Sequence, residues 1–269
     1  MVGYKNRKWP KILILGVMLL FFYAPIIVMM VFSFNDARSL NAWQGFSLRW
    51  YESLFNNREI LNSVWVSTSV AIIATLVSTI VGTLTAIGLS KSRRVIKEIT
   101  LTLNEFPILN PEIVTAVGLM LLFIFSGVDK GYMTMLLAHI MFCIPYVILA
   151  VLPRLRSLDP NITEAAMDLG ATPTQALIKV ILPQITPSVM SAALIAFTMS
   201  FDDFVISYFV SGNGVNNISM QVYAMSKRIN PTINALSTIL IVVVTFVLIL
   251  INVIPMVGKK GRKNEKVFD

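Results

Sequence analysis

Residues 159–187 read "DPNITEAAMDLGATPTQALIKVILPQITP", a stretch with its own helix start and stop signals set between long apolar runs. Asp159 followed by Pro160 predicts a helix start, because a carboxylate accepts from free amides and proline suits the first helical position. Gly170 predicts the stop. Thr172 with Gln175 three residues on predicts a capping box, Pro173 sits in the first turn, and the second helix is expected to run until Pro183 interrupts it. On the first helix Ile162, Ala165 or Ala166, and Leu169 share one face, and Glu164 and Asp168 share another. A connection of this length with its own caps is long for a mere link and predicts a docking surface. Nucleic acid is not the partner: between the caps only Lys179 is basic, beside two acids, and phosphate contacts need more cations than that.

What flanks the hairpin decides the fold class. The chain of 269 residues is 56% hydrophobic and 13% charged, with a mean hydropathy of +0.75. Several apolar runs reach the roughly twenty residues needed to cross a bilayer. The expectation is an all-α polytopic membrane protein, a single transmembrane domain over residues 1–269. Six membrane-spanning helices are predicted near 11–34, 62–89, 99–125, 132–152, 188–211 and 232–257. An even number puts both termini on one side together with the loop "KSRRVIKE" and the hairpin, and 16 of the 22 Lys and Arg fall there. The positive-inside rule makes that side the cytoplasm. The first run lacks a small-residue cleavage site and continues through "YAPIIVMMVFSFN", so it reads as a retained span.

Outside the membrane, "FSLRWYESLF" spaces Leu48, Tyr51 and Phe55 as the apolar face of a short helix on the lipid surface, with Trp50 at that interface. Ser78, Gly82 and Ala86 recur every four residues, a stripe of small side chains that lets a neighbouring helix come close. One cysteine, Cys143, and one histidine, His139, both within an apolar run, exclude an internal disulfide and a His/Cys metal cluster, and both read as core packing.

Acids inside the apolar runs need a reason, since a charged group at a span centre costs about 2.5–3.5 kcal/mol. Asp202 and Asp203 stand side by side in "MSFDDFVISYF" (199–209), and Glu112 stands in "FPILNPEIV" (106–114). Glu105, seven residues before Glu112, lies near the same helical face, although Pro107 and Pro111 are expected to kink or break the helix between them. Neighbouring helical residues point about 100° apart, so one aspartate is expected to face a cavity and the other a partner. No Lys or Arg occupies a span centre, so no counter-ion is expected for these acids in this chain. Three readings stay open on the residues alone: protonated carboxyls bonded to Ser207, Thr198 or a partner helix; a proton relay; or a pocket for a cationic substrate. In the last, Phe201, Phe204 and Tyr208 would stabilise the cation and Trp50 would cover it from outside.

The spacing "EAAMDLG", nine residues, "VILP" resembles the EAA loop of ABC importer membrane subunits, with Val180 where that pattern usually has Ile. The resemblance implies that Glu164, Ala165, Ala166 and Gly170 couple the chain to an ATPase. No G-x-x-x-x-G-K-[ST] occurs, so ATP and Mg would sit on the partner and this chain would hold no cofactor and be no enzyme. Beyond the loop, "YAPIIVMMVFSFN", "FSLRWYESLF", "NPEIV", "FTMSFDDFVISYFV" and "INALSTIL" resemble landmarks of the PotC-type permease subunits of spermidine/putrescine ABC importers.

That resemblance implies an ABC importer permease fold in a bacterial inner membrane, in contact with membrane lipid. It also implies a second homologous permease subunit (PotB-type), an ATPase dimer (PotA-type), an external solute-binding protein (PotD-type) and a polyamine cargo. Substrate-binding residues by the same resemblance are Asp202, Asp203, Glu112 and Trp50, with Glu112 one methylene longer than the Asp common in the family. Glu105 and Pro107 match no family landmark. Competing expectations are the same architecture carrying a metal-chelate, amino-acid-like or thiamine-like solute, and a polytopic enzyme or ion-coupled carrier, for which no Ser/His/Asp set is present.

Overall fold

A chain segment in lipid must satisfy its backbone polar groups internally, and a helix does so within one segment. The computed structural model follows that rule and describes residues 8–38, 42–227, 230–246 and 249. Apart from one isolated antiparallel bridge between Asn35 and Phe46, the regular structure among the described residues is helical. Among the described residues four helices are long and apolar enough to cross a membrane: Trp9–Phe32, Arg58–Lys91, Tyr132–Arg156 and Pro173–Asp202. The molecule is a multi-pass, all-helical membrane protein. In chain order its elements are α1 (Lys8–Phe32), α2 (Arg49–Asn56), α3 (Arg58–Lys91), α4 (Arg94–Leu109), α5 (Glu112–Phe125) and α6 (Tyr132–Arg156). There follow α7 (Ile162–Asp168), α8 (Pro173–Ala176), α9 (Leu182–Asp202), α10 (Val205–Val210), α11 (Ile218–Ser226) and α12 (Thr232–Phe246).

Two expected spans take a different form. The third is a pair, α4 and α5, bent by 104° at Asn110 and Pro111. Pro111 has no N–H to continue the ladder and forces Asn110 out of the helical region, to φ −74° and ψ 144°, whereas Pro107 is accommodated inside α4. The shared face expected for Glu105 and Glu112 is therefore lost, since one lies in α4 and the other opens α5. The fifth span ends early, at Asp202, and restarts as α10 after Asp203 and Phe204. Of the sixth, α12 covers the first part, and the rest up to residue 257 lies outside the described residues, as do the basic ends 1–7 and 251–269.

The chain divides into two compact units, residues 1–58 with 224–269, and residues 59–223. In the first, Asn35 organises the turn after α1: its amide donates to the Ala42 carbonyl (2.7 Å) and its Oδ1 accepts from the Gln44 N–H (2.8 Å). The surface helix predicted from "FSLRWYESLF" is α2. Trp50 and Leu54 turn inward on it, while Leu48 and Phe55 stay exposed on the side available to lipid.

The second unit holds a core in which α6 packs against α9 and α10, with α4 alongside. Ser78, Gly82 and Ala86 are buried as the stripe predicts, and a Cβ on Gly82 would lie 2.7 Å from the Val147 side chain, so α3 meets α6 at a distance only glycine permits.

The hairpin of residues 159–187 forms with two changes from the reading. Asp159 and Pro160 do not open the first helix: Asp159 accepts from the Asn161 N–H (2.9 Å) in a turn, and α7 starts at Ile162 with Asn161 before it. Gly170 takes φ +88°, and Thr172 and Gln175 close the capping box. Pro183, however, does not end the second helix. A π-helical stretch, Leu177–Ile181, precedes it, with the Leu182 N–H reaching the Leu177 carbonyl, and the Gln184 side chain donates to the Val180 carbonyl (3.0 Å). The wider turn absorbs the missing proline donor, and the helix continues into the membrane.

Candidate functional site

The break between α9 and α10 contains neither proline nor glycine, so its cause lies in side chains. Asp203 leaves the helical region (φ −59°, ψ 128°), and its carboxylate accepts from the Ile206 N–H (3.2 Å) and the Ser207 N–H (2.7 Å). These are first-turn amides of α10, which would otherwise lack partners at membrane depth. The Ser207 hydroxyl donates to the same carboxylate oxygen at 2.7 Å. Asp203 thus ends one helix and starts the next.

Beneath it lies a buried polar network. His139 of α6 places Nε2 3.4 Å from Asp203 Oδ2 and 3.0 Å from Ser207 Oγ, and Nδ1 2.7 Å from Ser200 Oγ on α9. Asn217 donates from Nδ2 to the Asp203 carbonyl (2.6 Å) and to Ser207 Oγ (2.8 Å), and its Oδ1 accepts from the Met220 N–H (2.9 Å) at the start of α11. His139, Ser200, Ser207 and Asn217 are each 1% exposed or less. Two expectations change here. His139 is not a space-filling core residue but a polar hub, and the basic group facing Asp203 comes from this chain after all. Sequence reasoning missed the pairing because residues 139 and 203 sit on separate helices with no local signal joining them. Ser207 is the partner that the sequence nominates for a protonated carboxyl; here its hydroxyl donates to Asp203.

Asp202, the last residue of α9, is exposed, and its main-chain carbonyl accepts from the Ser219 hydroxyl at 2.9 Å. Glu112 opens α5, which packs along α10, and is exposed, within electrostatic reach of both aspartates. At a helix N-terminus a carboxylate is favoured by the helix dipole. The structure thus gathers three of the four sequence-nominated binding residues, with Asp203 inside and Asp202 and Glu112 at the surface. Around them Phe204 packs against Tyr208 (5.5 Å) and Tyr223 (4.7 Å), with Tyr208 56% exposed. Carboxylates this close repel one another in any medium of low polarizability, and a cation among them relieves that repulsion.

Trp50 belongs to the first unit, where it is buried, donates its indole N–H to the Asn35 carbonyl (2.7 Å), and carries the Arg49 guanidinium 4.6 Å from its ring centroid. On the hairpin Glu164, Ala165 and Gly170 are exposed and Ala166 half-buried, while Leu169 projects with 91% of its surface exposed.

Against known proteins, the profile of the family described as "Binding-protein-dependent transport system inner membrane component" matches residues 78–258. The chain is 41% identical over 223 residues to the spermidine/putrescine transport system permease protein PotC of Haemophilus influenzae, covering 82% of this chain and 87% of that one. It is 36% identical over 246 residues to PotC of Escherichia coli K12, covering 91% and 93%. With the putrescine transport system permease protein PotI of E. coli K12 it shares 37% over 244 residues, 86% and 85% of the two chains. Among solved structures, a bacterial ABC transporter involved in the import of the acidic polysaccharide alginate superposes with a TM-score of 0.72 at 16% identity, over 95% of this chain and 98% of that one. That likeness speaks to fold alone.

Proposed function

The chain belongs to the family of binding-protein-dependent transport system inner membrane components, and from that premise we propose that it is the membrane-spanning permease subunit of an ATP-driven polyamine importer of the spermidine/putrescine class. The observation that carries the proposal is the convergence of Glu112, Asp202 and Asp203 at a helix break inside the membrane, on a chain 36–41% identical to PotC permeases. Asp202 and Glu112 take the ammonium groups of the cargo, and Asp203 adds its negative field from below. Phe204 and Tyr208 supply aromatic faces beside them. Trp50, the fourth residue that the resemblance nominates, is buried in the first unit with the Arg49 guanidinium over its ring, and its part in binding rests on the resemblance alone.

The chain forms half of the translocation pathway, with a homologous second permease subunit as the other half and an external binding protein delivering the cargo. An ATPase dimer docks on the hairpin at Glu164, Ala165, Ala166 and Gly170, with Leu169 entering its cleft. Closure of that dimer on ATP pulls the hairpin and rocks the spans between inward-facing and outward-facing states. Both termini and the hairpin face the cytoplasm of a bacterial cell whose inner membrane holds the complex. The test is co-purification with the neighbouring gene products, reconstitution in vesicles and uptake of labelled spermidine and putrescine. ATP-dependent uptake is the expected result. Uptake of neither polyamine, with binding-protein-dependent ATP hydrolysis on another solute, overturns the cargo, and uptake without ATP overturns the machinery.

A further inference from the structure

We infer that His139 is a positioning residue for cargo recognition: with Ser200, Ser207 and Asn217 it clamps Asp203 into the helix break and thereby fixes where Asp202 and Glu112 meet the substrate. The inference rests on the importer reading above and deepens it by one residue that does not itself touch cargo.

Proton counting fixes the directions of the bonds. The Ser207 hydroxyl has one proton, and at 2.7 Å from a carboxylate oxygen it donates there. Its oxygen therefore accepts from Asn217 Nδ2 (2.8 Å) and from His139 Nε2 (3.0 Å). Nε2 must then carry a hydrogen, and Nδ1 meets the Ser200 hydroxyl at 2.7 Å. Every polar atom of the imidazole has a partner. Because the whole set is buried, water cannot replace a lost bond. A histidine that only filled space would tolerate an apolar residue of similar size; this one would leave Ser200 and Ser207 each short of a partner.

The effect reaches the surface acids through the chain and through space. Asp202 precedes Asp203 in the chain, so the direction of its side chain follows the backbone of the break, and Glu112, at the start of α5, which packs along α10, lies within electrostatic reach of Asp203. Release of Asp203 turns Asp202 and moves the charge that Glu112 faces.

The test uses the assembled importer in vesicles with its binding protein. His139→Leu is expected to raise the spermidine concentration for half-maximal uptake by about tenfold, while His139→Gln, whose carboxamide offers an N–H where Nε2–H stands, returns it to within about threefold of wild type. Equal behaviour of the two variants, at wild-type level or equally impaired, overturns the inference. Where His139→Leu fails to assemble, the tautomer decides. His139 is the chain's one histidine, so the ring-15N signal absent from the His139→Gln importer reports it; Nε2–H bonded on both nitrogens is expected, and an Nδ1–H ring overturns the clamp. If the wild type carries some other solute, the polyamine reading fails, while the tautomer and the contrast between Leu and Gln with that solute still decide the role of His139.

Discussion

Replacing Asp202 with asparagine removes one negative charge and little else. The side chain keeps its size, its exposure means no buried partner is orphaned, and the bond from the Ser219 hydroxyl goes to the main-chain carbonyl, which the substitution leaves in place. The variant should therefore assemble normally. On the proposed reading it loses one charge-assisted hydrogen bond to an ammonium group, about 1.5–3 kcal/mol. A pure Coulomb figure for unit charges 4 Å apart near a protein surface is about 4 kcal/mol, an upper limit because Asp202 is exposed. The smaller range corresponds to roughly a ten- to hundredfold rise in the half-saturating polyamine concentration, since about 1.4 kcal/mol is a factor of ten. The assay is uptake of labelled spermidine into vesicles as a function of concentration, beside the ATPase rate without cargo, which should not change. Adding Glu112→Gln removes the second exposed carboxylate and should bring uptake to background. A double variant that still transports spermidine with wild-type half-saturation would refute the cation assignment.

Asp203→Asn should behave unlike Asp202→Asn: one oxygen remains an acceptor, but the NH2 that replaces the other faces either the Ile206 N–H or the Ser207 N–H and hydroxyl, so a loss of about 1–3 kcal/mol in stability is expected, read as reduced yield or a lowered melting temperature of the assembled complex. Gly170→Val forces a branched side chain to φ +88°, a cost of about 1–2 kcal/mol that should distort the hairpin exit; cargo-stimulated ATP hydrolysis and uptake should both fall while cargo binding persists. Gly82→Leu places a side chain where Val147 already sits, and separation of α3 from α6 should abolish stable purification, whereas Gly88→Leu on the same helix, where a Cβ meets open space, should be tolerated.

The spans and the hairpin were legible because their signals are local. Twenty apolar residues, a capping box at Thr172 and Gln175, and a glycine at 170 each act within a few residues of where they stand. The bend at Pro111 was legible in position, since proline removes a donor wherever it sits, but its 104° is set by what α4 and α5 pack against. Pro183 shows the limit of that rule: the π-helical stretch before it and the Gln184 side chain supply what the ring removes. The break at Asp203 carried a signal that the apolar surroundings concealed. An aspartate three and four residues before two N–H groups is an N-cap in water and remains one in lipid, where free amides cost more. The pairing of His139 with Asp203 had no sequence signal, because it depends on how α6 packs against α9 and α10.

The sign of the cargo cannot come from the fold, because the same architecture serves an importer of an acidic polysaccharide. Nor can it come from net charge, since this chain carries +8. Most of those cations flank the apolar runs, where they set orientation, and screening over about 10 Å removes exposed charges from the field felt at membrane depth. What remains there is local: three carboxylates, one held beneath by His139 and two turned outward beside exposed aromatic rings. Reversing those two outward charges, Asp202→Lys with Glu112→Lys, should abolish polyamine uptake while leaving the buried clamp, and hence the helix break, intact. Loss of the ring-15N signature of His139 in that variant would show that the outer acids hold the break together, and the order of dependence argued above would be reversed.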